Sequence, residues 1–249
     1  MSSTTLPRCV ILCGPTASGK TSLSLALAHA VDGEIVNADS LQVYRGLDIG
    51  TAKVSQAERA QVPHHLFDIK NPDEPFNVAL YKASADVAIE DILERGKVPI
   101  VVGGTGLYLK ILVRGIFEVP KASQDLRDRL RAEIEAYGIE QLHRRLQLND
   151  PELAEKIENH DTTRIIRGLE VFEQTGIPLS QHQRAHDFGE ASYDYFSVGI
   201  KLPRTVLYER IVKRTEAMID AGLEAEYDRL VEEGYGPDLK PLQSLGYKQ

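Results

Sequence analysis

The sequence predicts an α/β protein, a parallel sheet with helices on both faces, interrupted by a helical insertion domain. Three observations carry this. A short apolar run at residues 9–13 is followed by a glycine-rich turn and then a helical pattern. Strand-like and helix-like segments alternate as far as residue 120, which implies right-handed crossovers between parallel strands. From about 121 to 190 the strand signals vanish, and Arg, Glu and Leu recur at helical spacing.

Each element has its own warrant. Residues 9–13 (CVILC) are continuously apolar and bounded by Gly14 and Pro15, as a strand covered on both faces would be. Cys9 and Cys13 fall on one side of that strand and read as small buried residues rather than a disulfide. Helical pattern runs from Lys20 to Val31. Residues 34–39 (EIVNAD) make a second strand, 77–95 an amphipathic helix, and 98–102 (VPIVV) a third strand running into Gly103 and Gly104. Within the insertion, Gly138, Pro151 and Gly176-Ile-Pro178 mark turns. Residues 196–202 (FSVGIKL) read as a returning strand, with helices following over 204–221 and 223–233. The expected layout is therefore a core in 1–120, a helical insertion in 121–192 and the returning core in 193–249. The stop at Tyr247-Lys248-Gln249, without a clear terminator, suggests that further C-terminal sequence is missing.

Composition narrows the function classes. With 249 residues and 42% hydrophobic content the chain can bury a sizeable core, which excludes a disordered protein. No apolar run approaches the roughly 18 residues of a membrane span, and the first residues lack the apolar stretch of a signal peptide. No membrane association and a cytoplasmic location are the expectation. The net charge of −8 excludes nucleic-acid binding by general attraction to phosphates. An RNA partner would have to be met by a local patch and by shape.

Gly14-Pro-Thr-Ala-Ser-Gly-Lys-Thr21 matches G-x-x-x-x-G-K-[ST] between a buried strand and a helix, the context a P-loop needs. Its glycines let successive backbone N–H groups turn inward around an anion, and the helix adds its N-terminal partial charge. Lys20 supplies a point charge to phosphates, and the Thr21 hydroxyl is a natural Mg²⁺ ligand. Many such loops are nucleotide-binding, ATP-binding ones included. Hydrolysis, however, usually needs an Asp at the end of a strand, and here the third strand ends in Gly103-Gly104-Thr105.

Asp39 is the carboxylate that does stand at a strand end, on the edge where open α/β sheets bind ligands. It reads equally well as a general base or metal organiser and as a cap for a following helix. Gly103-Gly-Thr-Gly-Leu-Tyr108 is a second glycine-rich turn on that edge, more often a packing device than a site. His182 and His186 share metal-binding spacing but lack a completing ligand, and His64-His65 read as structural. Arg127, Arg129, Arg131, Arg144, Arg145, Arg164 and Arg167 lie among many acids, so a solvated mixed-charge surface competes with RNA contact. Arg210 and Arg214 are either exposed charges or cations returning to the phosphates as lid arginines do.

Several phrases together resemble one family. The P-loop phrase, Asp39-Ser-Leu-Gln-Val-Tyr-Arg-Gly-Leu-Asp-Ile-Gly-Thr-Ala-Lys53, Gly103-Gly-Thr-Gly-Leu-Tyr-Leu109, Asp161-Thr-Thr-Arg-Ile-Ile-Arg-Gly-Leu-Glu-Val171 and Gly246-Tyr-Lys-Gln249 are similar to tRNA dimethylallyltransferases (tRNA isopentenyltransferases). The resemblance spans almost the whole chain in order. It implies a monomer that transfers the dimethylallyl group of dimethylallyl diphosphate to the N6 amine of adenosine 37, in the anticodon loop of tRNA. It further implies that Gly14, Pro15, Thr16, Ala17, Ser18, Gly19, Lys20 and Thr21 hold the diphosphate together with Arg214, assisted by Mg²⁺ at Thr21. Asp39 would be the base at the adenine amine, and Lys20, Thr21 and Arg214 would stabilise the leaving group. Contacts to the anticodon stem-loop are implied for Asp39, Ser40, Leu41, Gln42 and Thr105, and for Arg127 with Thr163, Arg164, Ile165, Ile166 and Arg167. Ser244, Leu245, Gly246, Tyr247 and Lys248 complete that set. One departure is His160-Asp161, where the family has Asn-Asp.

Three rivals remain at this stage. An adenylate dimethylallyltransferase would run the same chemistry on a free nucleotide but needs no helical insertion. A small-molecule P-loop kinase would bind ATP tightly. A non-catalytic tRNA-binding protein would have no need of intact Lys20, Thr21 and Asp39.

Overall fold

Strand β1 (Arg8–Cys13) leads through the glycine-rich turn into α1 (Lys20–Val31), and β2 (Gly33–Asn37) follows after a tight turn. The computed structural model describes residues 8–117, 119–120, 123–186 and 191–249. Next come the short helix α2 (Gln56–Arg59), the two-residue strand β3 (His64–His65), α3 (Val78–Glu94), β4 (Val98–Gly103) and α4 (Gly106–Arg114). Five helices then run in succession: α5 (Gln124–Tyr137), α6 (Ile139–Asn149), α7 (Pro151–Lys156), α8 (Thr162–Thr175) and α9 (Leu179–His186). The chain returns through β5 (Asp194–Gly199), α10 (Arg204–Asp220) and α11 (Leu223–Glu232).

The sheet has the order β3-β2-β4-β1-β5 with every pairing parallel. Parallel neighbours cannot be joined by a hairpin, so each link crosses over through a helix or a long connection. All five residues of β2 are buried, as expected of a strand covered on both faces. At the other extreme β5 is an edge strand, and Phe196 on it is exposed. Leu12, Val36, Ile100 and Val101 have no solvent exposure, and burying each such side chain contributes about 1.5–3 kcal/mol. The Tyr81 and Tyr108 rings stack with centroids 4.1 Å apart, joining α3 to α4.

The sequence boundaries move in instructive ways. The helix expected over 77–95 is Val78–Glu94, because the Asn77 side chain accepts from the backbone N–H groups of Ala79 and Leu80 and so caps it. The second strand ends at Asn37, which leaves Asp39 in the turn beyond it. The returning strand expected over 196–202 runs from Asp194 to Gly199 and pairs with β1 along its full length. No strand was expected at His64–His65, since two residues carry no periodicity.

Two units emerge: residues 1–115 with 191–249, and Ile116–Glu190. The layout expected from sequence put these boundaries at 120/121 and 192/193. Residues 191–193 lie with the sheet unit because Ser192 N–H donates to the Val113 carbonyl at 2.7 Å and the buried Tyr193 donates its hydroxyl to Asp86 at 2.5 Å. The helical unit has its own core of Leu130, Leu142, Leu146, Leu153, Ile165 and Leu169. Its arginine clusters are partly structural. Fully buried Glu170 binds Arg127 at 3.1 Å and Arg167 at 2.7 Å and also accepts from Ser123 N–H at 2.8 Å. Among the described residues no helix is long and apolar enough to cross a membrane.

Candidate functional site

The candidate site is built from turns that leave the carboxyl ends of β1, β2 and β4. In the glycine-rich loop 14–21, Ala17 (φ 61°) and Gly19 (φ 93°) adopt left-handed backbone, which turns the chain inward ahead of α1. No side chain caps α1, so the N–H groups of its first turn are left for an anion. Lys20 Nζ donates to the carbonyls of Gly14 and Pro15, both at 2.9 Å, which holds the ammonium over the loop. The Ser18 hydroxyl, on a residue 5% exposed, has no hydrogen-bond partner among the described residues.

Asp39 faces this loop across a cavity of about 380 Å³. Its placement is tightly determined. Asn37, 1% exposed, accepts the Asp39 N–H at 3.0 Å and donates to the carbonyls of Asp39 (3.2 Å) and Leu66 (3.0 Å). Asp39 Oδ1 in turn accepts from the N–H groups of Leu41 (2.9 Å) and Gln42 (3.4 Å). The carboxylate therefore does cap, but it caps a turn and not a helix. Its Oδ2 makes no hydrogen bond among the described residues. The two strand-end turns are laced together, with Ser40 N–H donating to Thr105 Oγ1 at 3.1 Å and Thr105 N–H to the Ala38 carbonyl at 3.3 Å. Gly103 is required here: a Cβ would stand 2.1 Å from the Ala38 carbonyl oxygen.

The opposite wall comes from α10, with Arg210, Lys213 and Arg214 on the cavity. Arg214 Nη2 donates to the Thr51 carbonyl at 3.3 Å, and Gln42 Nε2 donates to the same carbonyl at 3.1 Å. Burial lowers the pKa of Lys20, an effect Asp39 opposes and Arg214 reinforces. Burial likewise lowers that of Arg214, again opposed by Asp39. Two cations and one carboxylate thus sense one another across a single cavity. Perturbed groups around a pocket with free N–H donors suit an anionic substrate and a proton transfer.

The other residues singled out from sequence scatter. Arg127 and Arg167 are tied to Glu170, whereas Arg164 is exposed, with its Nε 3.4 Å from Asp161, the residue that caps its helix. The expectation that Ile165 and Ile166 face RNA is corrected by their burial, 0% and 6% exposed, in the helical core. Helical periodicity turns them inward and leaves Thr163 and Arg164 outside. In the terminal segment Leu245, Gly246 and Lys248 are exposed and Ser244 half-buried, while Tyr247 is buried. His182 contacts Thr175, and no group of three metal-ligating side chains exists among the described residues.

Sequence reasoning missed three things. His64, read as structural, lines the cavity, with Nδ1 on the Val62 carbonyl at 2.6 Å. Lys213 was overlooked beside its arginines. Glu226, on α11, binds the loop that carries Thr51 and had no sequence signal, since its partners lie up to 178 residues away.

Comparison with known proteins adds to this geometry. The IPP transferase family model matches residues 42–249, and an isopentenyl transferase model matches residues 7–66. A tRNA dimethylallyltransferase 1 of Pelobacter propionicus is 49% identical over 249 residues, all of this chain and 81% of the relative. Its counterpart in Trichlorobacter lovleyi is 50% identical over 243 residues, 98% of this chain and 80% of the relative. Among solved structures, a full-length tRNA isopentenylpyrophosphate transferase from Bacillus halodurans aligns over 97% of this chain and 75% of its own, with 39% identity and TM-score 0.66. A eukaryotic dimethylallyltransferase described as acting on tRNA aligns over 97% and 62%, with 28% identity and TM-score 0.82.

Proposed function

The chain belongs to the IPP transferase family and is a prenyl transferase acting on tRNA, and from that premise we propose how its residues carry the reaction. The donor is dimethylallyl diphosphate and the acceptor the N6 amine of adenosine 37. The observation that carries this reading is one cavity with an anion-binding loop on one wall and a carboxylate with a spare oxygen on the other.

The diphosphate lies against the N–H groups of the P-loop, with Lys20 and Arg214 neutralising its charge. As the bond from the allylic carbon to the diphosphate oxygen breaks, these donors meet the developing negative charge, the largest single source of catalysis available here. The N6 amine is a weak nucleophile because its lone pair is delocalised into the ring. As the new N6–carbon bond forms, Asp39 takes the amine proton on Oδ2. The adenine must leave its stack to reach the cavity, and the turn Asp39 to Gln42 reads it there. Thr21 lines the cavity, and its hydroxyl would be the residue's ligand for a Mg²⁺ bound with the diphosphate. Such an ion would add Lewis-acid stabilisation of the leaving group. RNA contact is assigned to Thr105, Arg164, Thr163 and the exposed part of 244–248, with Arg127 and Arg167 braced by Glu170. Local surfaces of this kind on each unit, reading folded RNA by shape, are compatible with a chain of net charge −8.

The test is direct. The protein is incubated with dimethylallyl diphosphate, Mg²⁺ and unmodified tRNA, and the digested nucleosides are analysed by mass spectrometry. One adenosine should gain a C5H8 unit. A gain on free AMP and none on tRNA would point to the adenylate enzyme instead.

The RNA surface has its own expected outcome. Arg164→Ala should weaken tRNA binding and reduce the slope of log affinity against log salt by about 0.7–0.9, the share of one phosphate contact. Donor affinity should stay unchanged. Anisotropy titrations at several salt concentrations check this, and an unaltered slope removes Arg164 from the interface.

A further inference from the structure

Glu226 is a carboxylate, 6% exposed, that the reaction described above does not use. Its hydrogen bonds come from neutral donors. Oε2 accepts the N–H groups of Asp48 (3.0 Å) and Ile49 (2.8 Å), and Oε1 accepts the N–H of Gly50 (3.1 Å) and the Tyr247 hydroxyl (2.5 Å). Three consecutive backbone N–H groups converging on one side chain make an anion nest whose anion is supplied by the protein itself. Bonds to an ionised acceptor are roughly twice as strong as neutral ones, so the turn at 48–50 is held firmly.

Tyr247 fixes Glu226 in turn. Its ring fills the space beside Gly50, where an added Cβ would lie 2.5 Å from ring carbon, so the two can meet only because residue 50 is glycine. Burial and the neighbouring Glu226 carboxylate push the phenol's pKa up, which keeps the hydroxyl a donor.

The turn continues directly into the cavity. Thr51 Oγ1 donates back to the Leu47 carbonyl at 2.7 Å, and the Thr51 carbonyl accepts both Arg214 Nη2 and Gln42 Nε2. On the far side Lys53, with its side chain 2% exposed, binds the Tyr44 carbonyl, Asp48 and Asp68 at 2.6–2.7 Å. The turn is thus pinned independently of Glu226. Losing Glu226 should shift it and not unfold it.

We propose that Glu226 is a positioning residue for prenyl transfer, setting Arg214 and Gln42 through residues 48–51, with Tyr247 holding the carboxylate in place. The proposal rests on the reading of Arg214 as a diphosphate ligand. It explains why a helix remote from the P-loop in sequence bears on the phosphate end of the cavity.

The experiment is a double-mutant cycle read on single-turnover prenyl transfer to tRNA, with thermal melting in parallel. Glu226→Gln keeps the shape but puts an amide NH2 among N–H donors, and should slow transfer by about ten- to a hundredfold. Combined with Arg214→Ala, its effect on the rate should shrink to a few-fold, because the group it positions is gone. The shifts in melting temperature should simply add. Rate effects that multiply in full would mean a purely structural role and overturn the proposal. If Glu226→Gln does not fold, Tyr247→Phe decides in its place: it keeps the ring and should show a several-fold slowing with the same shrinkage against Arg214→Ala. Parent protein that transfers no prenyl group would overturn the reaction itself, whereas active parent with multiplying effects overturns the Glu226 role alone.

Discussion

Asp39→Asn should lower single-turnover prenyl transfer by about 10²–10⁴, typical of a lost general base, with tRNA and donor affinities altered little. The geometry makes this substitution unusually clean. Asp39 uses Oδ1 for the Leu41 and Gln42 N–H groups, and an amide oxygen can take over both bonds. Asn37 holds the backbone of residue 39 whatever its side chain. The change is thereby confined to Oδ2, which becomes an NH2 with no lone pair for the N6 proton. Were Asp39 only a turn cap, asparagine would serve nearly as well and the rate would barely move. Were it chiefly a metal organiser, raising Mg²⁺ would restore much of the rate. Rates at two Mg²⁺ concentrations, with binding measured alongside, separate the three, and activity within a few-fold of the parent removes Asp39 from the mechanism.

Lys20→Ala should weaken binding of dimethylallyl diphosphate by about 1.5–3 kcal/mol, roughly a ten- to hundredfold loss, the usual value of a charge-assisted hydrogen bond. The loop contributes N–H groups, but the full positive charges on the cavity come from Lys20 and the α10 cations. Burial has already lowered the Lys20 pKa, so an arriving diphosphate finds a partly desolvated ammonium and strengthens its hold on the proton. Calorimetric titration of parent and variant with the donor checks this. Unchanged affinity would assign the charge to Arg210, Lys213 and Arg214 alone. tRNA binding should be unaffected in the same preparation.

Local signals made much of the fold legible. The helix Lys20–Val31 follows the P-loop pattern to the residue, because its start is set by the glycine turn that the motif itself encodes. Strand β3 was invisible, since its pairing to β2 is imposed by the neighbouring strand and not by its own two residues. Asp39 could not be resolved from spacing because capping and proton acceptance demand the same chemistry; in the structure Oδ1 caps the turn and Oδ2 makes no hydrogen bond among the described residues. Ile165 and Ile166 illustrate the opposite failure. A contiguous phrase was carried over whole, although a helix turns consecutive residues to different faces. For Arg127 and Arg167 the sequence left a mixed-charge surface and RNA contact open, and the structure adds a fully buried acid, Glu170, bound to both. Glu226 was beyond reach because nothing near it in sequence marks its partners at 48–50.

The register of the sheet has a consequence for biosynthesis. β1 is an interior strand, yet its partner β5 is paired Arg8 to Asp194, and all of the helical unit is translated in between. At roughly 5–20 residues per second the apolar edge of β1 waits about ten to forty seconds for its last neighbour. Helices α5 to α9 draw on contacts close in sequence and can settle during that wait, whereas the non-local parallel pairing is slow by nature. The nascent chain therefore passes through a stage with an open hydrophobic strand edge. The pace at which β5 docks, and not the formation of the helices, governs how long that edge stays available to other chains.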